Sequence, residues 1–162
     1  MIARIILLQC FLALNVVRVL GYGYSWKECT WKREDPKDKG IIWACEFQKQ
    51  VSNTALRVYY SGNIRISGCH HCCNRWYFTF NGVECSTPGP IEGALYQAHA
   101  GNLNSHVHGH IEGHCHNVQE GGVKVEVRIG PCLGTGIPLG NGHTGFATLS
   151  RIFIEEVTLY AT

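Results

Sequence analysis

Two stretches of the chain carry side chains that could do chemistry. Residues 104–116 read NSHVHGHIEGHCH, with five histidines and one cysteine in thirteen residues. Residues 69–73 read CHHCC. Imidazole and thiolate are the ligands zinc prefers, and a C-x-x-C pair can also serve as a redox dithiol. If 105–112 is a strand, alternation puts His106, His108 and His110 on one face, with successive Cα atoms about 6.5–7 Å apart. Such a row could chelate zinc. It could also gain charge together near pH 6, since an unperturbed imidazole titrates near about 6.5. The same alternation puts Val107, Gly109 and Ile111 on the opposite face, which suits a core and leaves the histidines on a polar, solvent-facing side. The expectation is therefore an exposed strand edge or face with no required metal or cofactor. His106, His108 and His110 stand as the metal candidates to test. Cys115 is expected in a disulfide, which removes the best zinc ligand. Glu112 is the one carboxylate nearby in sequence that could orient an imidazole.

In CHHCC a zinc ribbon would need a second ligand pair at suitable spacing. A redox pair usually opens a helix, whose N-terminus stabilises the thiolate. Here RWYFTF follows, which reads as a strand. Structural disulfides are the better reading. Cys72 and Cys73 are adjacent, so on an extended backbone they point opposite ways and should reach different partners. No other motif points to catalysis. No aspartate follows Asp38, and G-x-S-x-G and H-E-x-x-H do not occur. The glycine-rich stretch 130–145 lacks the lysine of a phosphate-binding loop. A non-enzymatic protein with no catalytic residues is expected.

The elements that must hold these residues are strands. Residues 41–48 (IIWACEFQ) are rich in β-formers. Residues 55–62 and 63–67 suggest a hairpin about Ser61-Gly62-Asn63. Residues 75–82 (RWYFTFNG) are aromatic on both faces, and 91–98 form a weaker strand. Residues 105–112 and 123–130 alternate. Residues 149–157 (LSRIFIEEV) are apolar on both faces around Ile152 to Ile154. About eight short strands with polar turns predict an all-β sandwich or jelly roll. The loop 130–145 has the composition of a mobile connection.

The first residues carry a basic start, an apolar run over 5–17 and small residues at 19–23, the pattern of a secretory signal peptide. The run falls short of the roughly 20 apolar residues a membrane span needs. The expected organisation is a leader over 1–21, cut after Gly21 or Gly23, an N-terminal segment over 22–40 that reads as a solvated mixed-charge stretch, and an all-β globular domain over 41–162. The mature chain is expected in the extracellular space, with no membrane insertion. Arg4 and Arg18 leave with the leader, so 14 basic residues fall to the number of the 12 acids. The slight basicity belongs to the leader and gives no reason to expect nucleic acid. Nine cysteines become eight without Cys10. In an exported chain, Cys29, Cys45, Cys69, Cys72, Cys73, Cys85, Cys115 and Cys132 then predict up to four bridges. Cys115 with Cys132 would span one β-connection, and Cys72 or Cys73 with Cys85 would staple the RWYFTF strand.

Several segments carry a resemblance. WKECTW (26–31), NTALRVYYSGNIRI (53–66), CCNRWYFTFNGVEC (72–85), GPIEGALY (89–96), IEGHC (111–115) and TGFATLSRIFIEE (144–156) resemble the C-terminal domain of the collagen triple helix repeat-containing proteins. The likeness covers about residues 26–157, with counterparts for all eight mature cysteines. It implies a secreted matrix protein with a jelly roll like the tumour-necrosis-factor and complement globular heads, assembled as a homotrimer. It also implies a role in Wnt signalling of the planar-cell-polarity type, through Wnt ligands and Frizzled or Ror receptors. A purely structural matrix component and a zinc-binding protein using the His106–His110 face are the alternatives. The sequence departs from the family at several points. It has no Gly-X-Y run, so a trimer would rest on the globular domain. Asn104-Ser105-His106 lacks the threonine that would complete a glycosylation sequon. The Cys69–Cys72 spacing is one residue shorter, and the histidine-rich stretch is shortened and far richer in histidine, so a metal site there cannot come from the family. Ile152, Phe153 and Tyr77 are the candidate interface residues, because RWYFTF and RIFIEE each need a second surface to bury.

Overall fold

The computed structural model describes residues 25–98 and 104–158. The expected leader and its cleavage point lie outside them. Ten strands form two five-stranded sheets. They are β1 (Trp26–Trp31), β2 (Gly40–Lys49), β3 (Thr54–Ser67), β4 (Cys72–Phe80), β5 (Val83–Glu84), β6 (Glu92–Gln97), β7 (Val107–Cys115), β8 (Gly121–Pro131), β9 (Asn141–Thr144) and β10 (Ser150–Thr158). The first sheet runs β1-β10-β3-β7, with β9 also on β3; the second runs β2-β8-β4-β5, with β6 also on β4. All the pairings are antiparallel. The described residues contain no helix.

The two sheets share one core. Leu56, Val58, Tyr60, Ile152 and Ile154 come from the first sheet, and Trp43, Phe47, Trp76, Phe78, Val125 and Val127 from the second. Period-two alternation supplies it. In β3, residues 56–66 alternate strictly between buried and half-buried, as expected of a strand with one face on a core and one on solvent. Tyr60 carries a buried hydroxyl that meets Ser150 Oγ at 3.4 Å. Burial pushes its phenol up to about 12, against the smaller opposing effect of the hydrogen bond with Ser150.

Several expectations are corrected. The hairpin about Ser61-Gly62-Asn63 does not exist, because β3 runs unbroken through it. Gly62 serves close packing there. A Cβ at Gly62 would stand 2.6 Å from Ser150 Oγ and collide with the Tyr60 hydroxyl. The N-terminal segment is not wholly a solvated stretch, since β1 pairs with β10 from Trp26↔Glu155 to Trp31↔Ser150. Its half-buried Cys29 and Trp31 pack on the core, and the intervening charges had masked that signal. The loop 130–145 is partly ordered into β9, where Thr144 and Asp35 exchange two backbone hydrogen bonds of 2.9 Å.

The bridges are Cys29–Cys45, Cys69–Cys72, Cys73–Cys132 and Cys85–Cys115. All eight expected cysteines are engaged, and Cys72 and Cys73 reach different partners. The expected pairings Cys115 with Cys132, and Cys72 or Cys73 with Cys85, are wrong. β4 pairs with β8 so that Asn74 meets Pro131, which brings Cys132 beside Cys73. Cys85 lies past the end of β4 and is tied across to the end of β7 instead.

Candidate interaction surface

β7 begins two residues later than expected, and its histidines do not converge. His106 lies just ahead of the strand, half-buried against Phe146 with ring centroids 4.1 Å apart. Its Nδ1–H donates to Asn63 Oδ1 at 2.8 Å. Burial, then Arg65 and His143, hold its imidazole below the usual value, with Glu34 opposing. His108 reaches Ser61 Oγ at 3.3 Å. His110 donates to Glu112 at 3.0 Å. Each ring has its own partner, and among the described residues no three His, Cys, Asp or Glu side chains gather in a metal-holding arrangement. Gly109 and Ile111 face the core as expected, but Val107 is 41 % exposed. It lines an open groove with Ile66, Leu95 and Tyr96 at the mouth between the sheets.

The outer face of the first sheet carries a feature the sequence reading missed. Four rings, one per strand, run diagonally across it. Trp26 of β1 stacks on Phe153 of β10 at 5.6 Å and 17°. Phe153 stacks on Tyr59 of β3 at 5.1 Å and 15°. Tyr59 meets His110 of β7 at 5.5 Å and 30°. Strand pairing sets this spacing, since Phe153 and Tyr59 are direct partners in register and cross-strand neighbours on one face lie about 4.5–5.5 Å apart. Trp26, at the edge of the sheet, is 60 % exposed.

Charges flank the rings on both sides. Arg57 holds Glu112 at 2.5 Å and Glu155 at 3.3 Å. Arg151 holds Glu28 at 2.8 Å. Hydrogen bonds from His110 and Arg57 draw the Glu112 carboxyl below its usual range. The hydrogen bond to Glu112 raises the Arg57 guanidinium further, against desolvation. These pairs are partly open to water, so each adds little to stability. They do fix the orientation of a mixed aromatic and charged face.

The three expected interface residues fall in three different places. Ile152 has no exposed surface and packs in the core of its own chain, so it is not available to a neighbour. Strand alternation turns it inward and Phe153 outward into the ring row. Tyr77 lies on the outer face of the other sheet, with the Arg75 guanidinium 3.9 Å over its ring. Arg75 is itself clamped by Glu84 at 2.6 Å and Glu92 at 2.5 Å. The outward side of RWYFTF is thus largely covered by its own chain, and its aromatic content does not require a neighbour. Trp26, Arg57 and Tyr59 are the residues that sequence reasoning overlooked. Their signal was the outward half of WKECTW and ALRVYY, which becomes a row only when β10 is placed between them.

The family model described as CTHRC1, C-terminal domain, matches residues 22–154. The chain belongs to this family. The match spans the described strands from β1 into β10, so both sheets and all four bridges fall within the CTHRC1 C-terminal domain. The family is a non-enzymatic, matrix-type domain. Membership and the four bridges agree with an exported protein, since disulfides persist in oxidising compartments.

Proposed function

We propose that this protein is a secreted modulator of Wnt signalling of the planar-cell-polarity type, acting at the matrix by binding Wnt ligands or Frizzled or Ror receptors. The contact face in this reading is the outer face of the first sheet. The observation that carries it is the row Trp26–Phe153–Tyr59–His110. Trp, Tyr and Arg dominate protein-binding hot spots, and a row of edge-exposed rings bordered by Arg57 and Arg151 supplies all three. Family membership supports the extracellular, matrix-associated setting. The reading includes a jelly roll of the tumour-necrosis-factor and complement type, assembled as a homotrimer through the globular domain.

The test is capture of purified protein on immobilised Wnt ligand and on Frizzled and Ror ectodomains, with light scattering on the same samples. Retention of wild type, and its loss in Phe153→Glu at unchanged mass of about three chains, supports the reading. No retention of folded wild type on any of these partners refutes it. Loss of the trimer in Phe153→Glu would reassign the ring row to contacts between copies.

A further inference from the structure

The C-x-x-C pair in the turn between β3 and β4 has a use that the binding function leaves untouched. We propose that Cys69–Cys72 is a thiol-exchange site, opened by an extracellular dithiol while the other three bridges stay closed.

Three observations carry this. First, the four bridges close very different loops, with sequence separations of 3, 16, 59 and 30 for Cys69–Cys72, Cys29–Cys45, Cys73–Cys132 and Cys85–Cys115. The restraint a bridge places on the unfolded chain grows with the loop it closes, so Cys69–Cys72 contributes least and its opening costs the fold least. Second, the two cysteines differ in burial. Cys72 is fully buried at the start of β4, whereas Cys69 is half-exposed in a turn with exposed Gly68, His70 and His71. An incoming thiolate therefore has one sulfur to attack. Third, Gly140, the close backbone neighbour of the bridge, does not stand on the line of attack. Exchange requires the thiolate to approach along the S–S axis. A Cβ at Gly140 would stand 2.6 Å from Cys72 Sγ and 2.7 Å from Cys69 Sγ. Near-equal distances place Gly140 beside the bond, not at its end.

The exchange balances with a dithiol as reductant. Its thiolate attacks Cys69 Sγ, the S–S bond breaks, and the electron pair goes to Cys72 Sγ, which takes a proton from water. The reductant's second thiolate attacks its own sulfur in the mixed disulfide and expels the Cys69 thiolate, which is protonated in turn. Two electrons pass to the chain, and the dithiol leaves as a disulfide. No helix follows to stabilise a thiolate, so the pair is a substrate of exchange and not an oxidoreductase. The surroundings are held by hydrogen bonds that do not use the bridge. Asn74 Nδ2 donates to Gly140 O at 3.1 Å, Gly140 N donates to Asn74 Oδ1 at 2.7 Å, and Cys73 N donates to Pro138 O at 3.0 Å. What is released is the turn carrying His70 and His71, whose Nδ1 now meets the Tyr96 hydroxyl at 2.9 Å.

The test titrates the folded protein with dithiothreitol, traps thiols with iodoacetamide, and maps the labelled peptides. Cys69 and Cys72 should carry label at lower reductant than the cysteines of any of the other three bridges. Circular dichroism should be unchanged at that point. Another pair opening first or together with this one, or no opening short of unfolding, overturns the proposal. The double variant Cys69→Ser, Cys72→Ser should fold with its three remaining bridges closed and take up no label in that reductant range. A double variant that fails to fold would make the bridge structural and also overturn it.

Discussion

Tyr59 and Phe153 stack ring on ring, 5.1 Å apart and 15° from parallel, while the next residue in β10, Ile152, is sealed in the core. One step along a strand thus separates a surface residue from an interior one. Ile152→Ala should cost about 2–5 kcal/mol, the usual range for a large-to-small core change. Phe153→Ala should lose less, about 0.5–1.5 kcal/mol for the ring pair beyond the loss of its modest buried area. Urea midpoints measure both. Equal losses would mean that the ring row is part of the core.

Glu156 is the buried anchor of the β2–β3 turn. Its carboxylate accepts from Gln50 N and Val51 N at 2.8 Å each and from Thr54 Oγ1 at 2.5 Å. Lys49, wholly buried, stands 3.9 Å away. Burial alone would raise its pKa, but these hydrogen bonds and Lys49 win, and it lies below the ordinary 4.5. The native form thus holds fewer protons than the unfolded chain just below that value. Its contribution is complete above about pH 4.5 and is lost as pH falls through the lower native pKa. Glu156→Gln should cost about 1–3 kcal/mol at neutral pH and flatten the stability profile on the acid side. Thermal melts from pH 3 to pH 7 test this, and an unchanged acid slope would count against it.

The histidine stretch should be indifferent to metal. Thermal unfolding at neutral pH should not shift on adding a strong chelator, and His108→Ala with His110→Ala should fold normally. A fall of many degrees, restored by zinc alone, would contradict this. His106 differs from its neighbours because its imidazole sits low, chiefly through burial and then Arg65 and His143. Its neutral form is the one the fold favours. The stability linked to it is whole above the ordinary 6.5 and is lost as pH falls through the lower native value. Titration of the His106 ring by NMR should report a midpoint below 6.5.

Gly62→Ala should destabilise by about 1–3 kcal/mol, the range for an overpacked site. A turn glycine with ordinary φ would tolerate alanine. Comparing Gly62→Ala with Gly89→Ala, where a Cβ meets nothing within 4 Å, separates the two explanations by denaturant midpoint.

Much of the fold was legible because strands write themselves as alternation. VKVEVRIG shows it directly, and β8 buries Val123, Val125, Val127 and Ile129 on one side. The eight paired cysteines were readable from their even number beyond residue 21. The errors have a common source. Ser61-Gly62-Asn63 has turn composition, yet Gly62 is needed by Tyr60 and Ser150, residues it meets only in the packed sheets. β1 was hidden because its edge position leaves outward charges that resemble a solvated segment.

What the sequence determined alone was the local content: an all-β chain, the family, the cysteines committed to bridges, and the inward face of most strands. These follow from side-chain type and a period of two, which need no knowledge of what pairs with what. Strand order and register were decided only by the tertiary structure. Register sets Cys73 beside Cys132, parts His106 from His110, and lines up Trp26, Phe153, Tyr59 and His110 from four separate segments. No local pattern contains that information. It arises when the two sheets close over one core and each strand takes the neighbour that buries its apolar face.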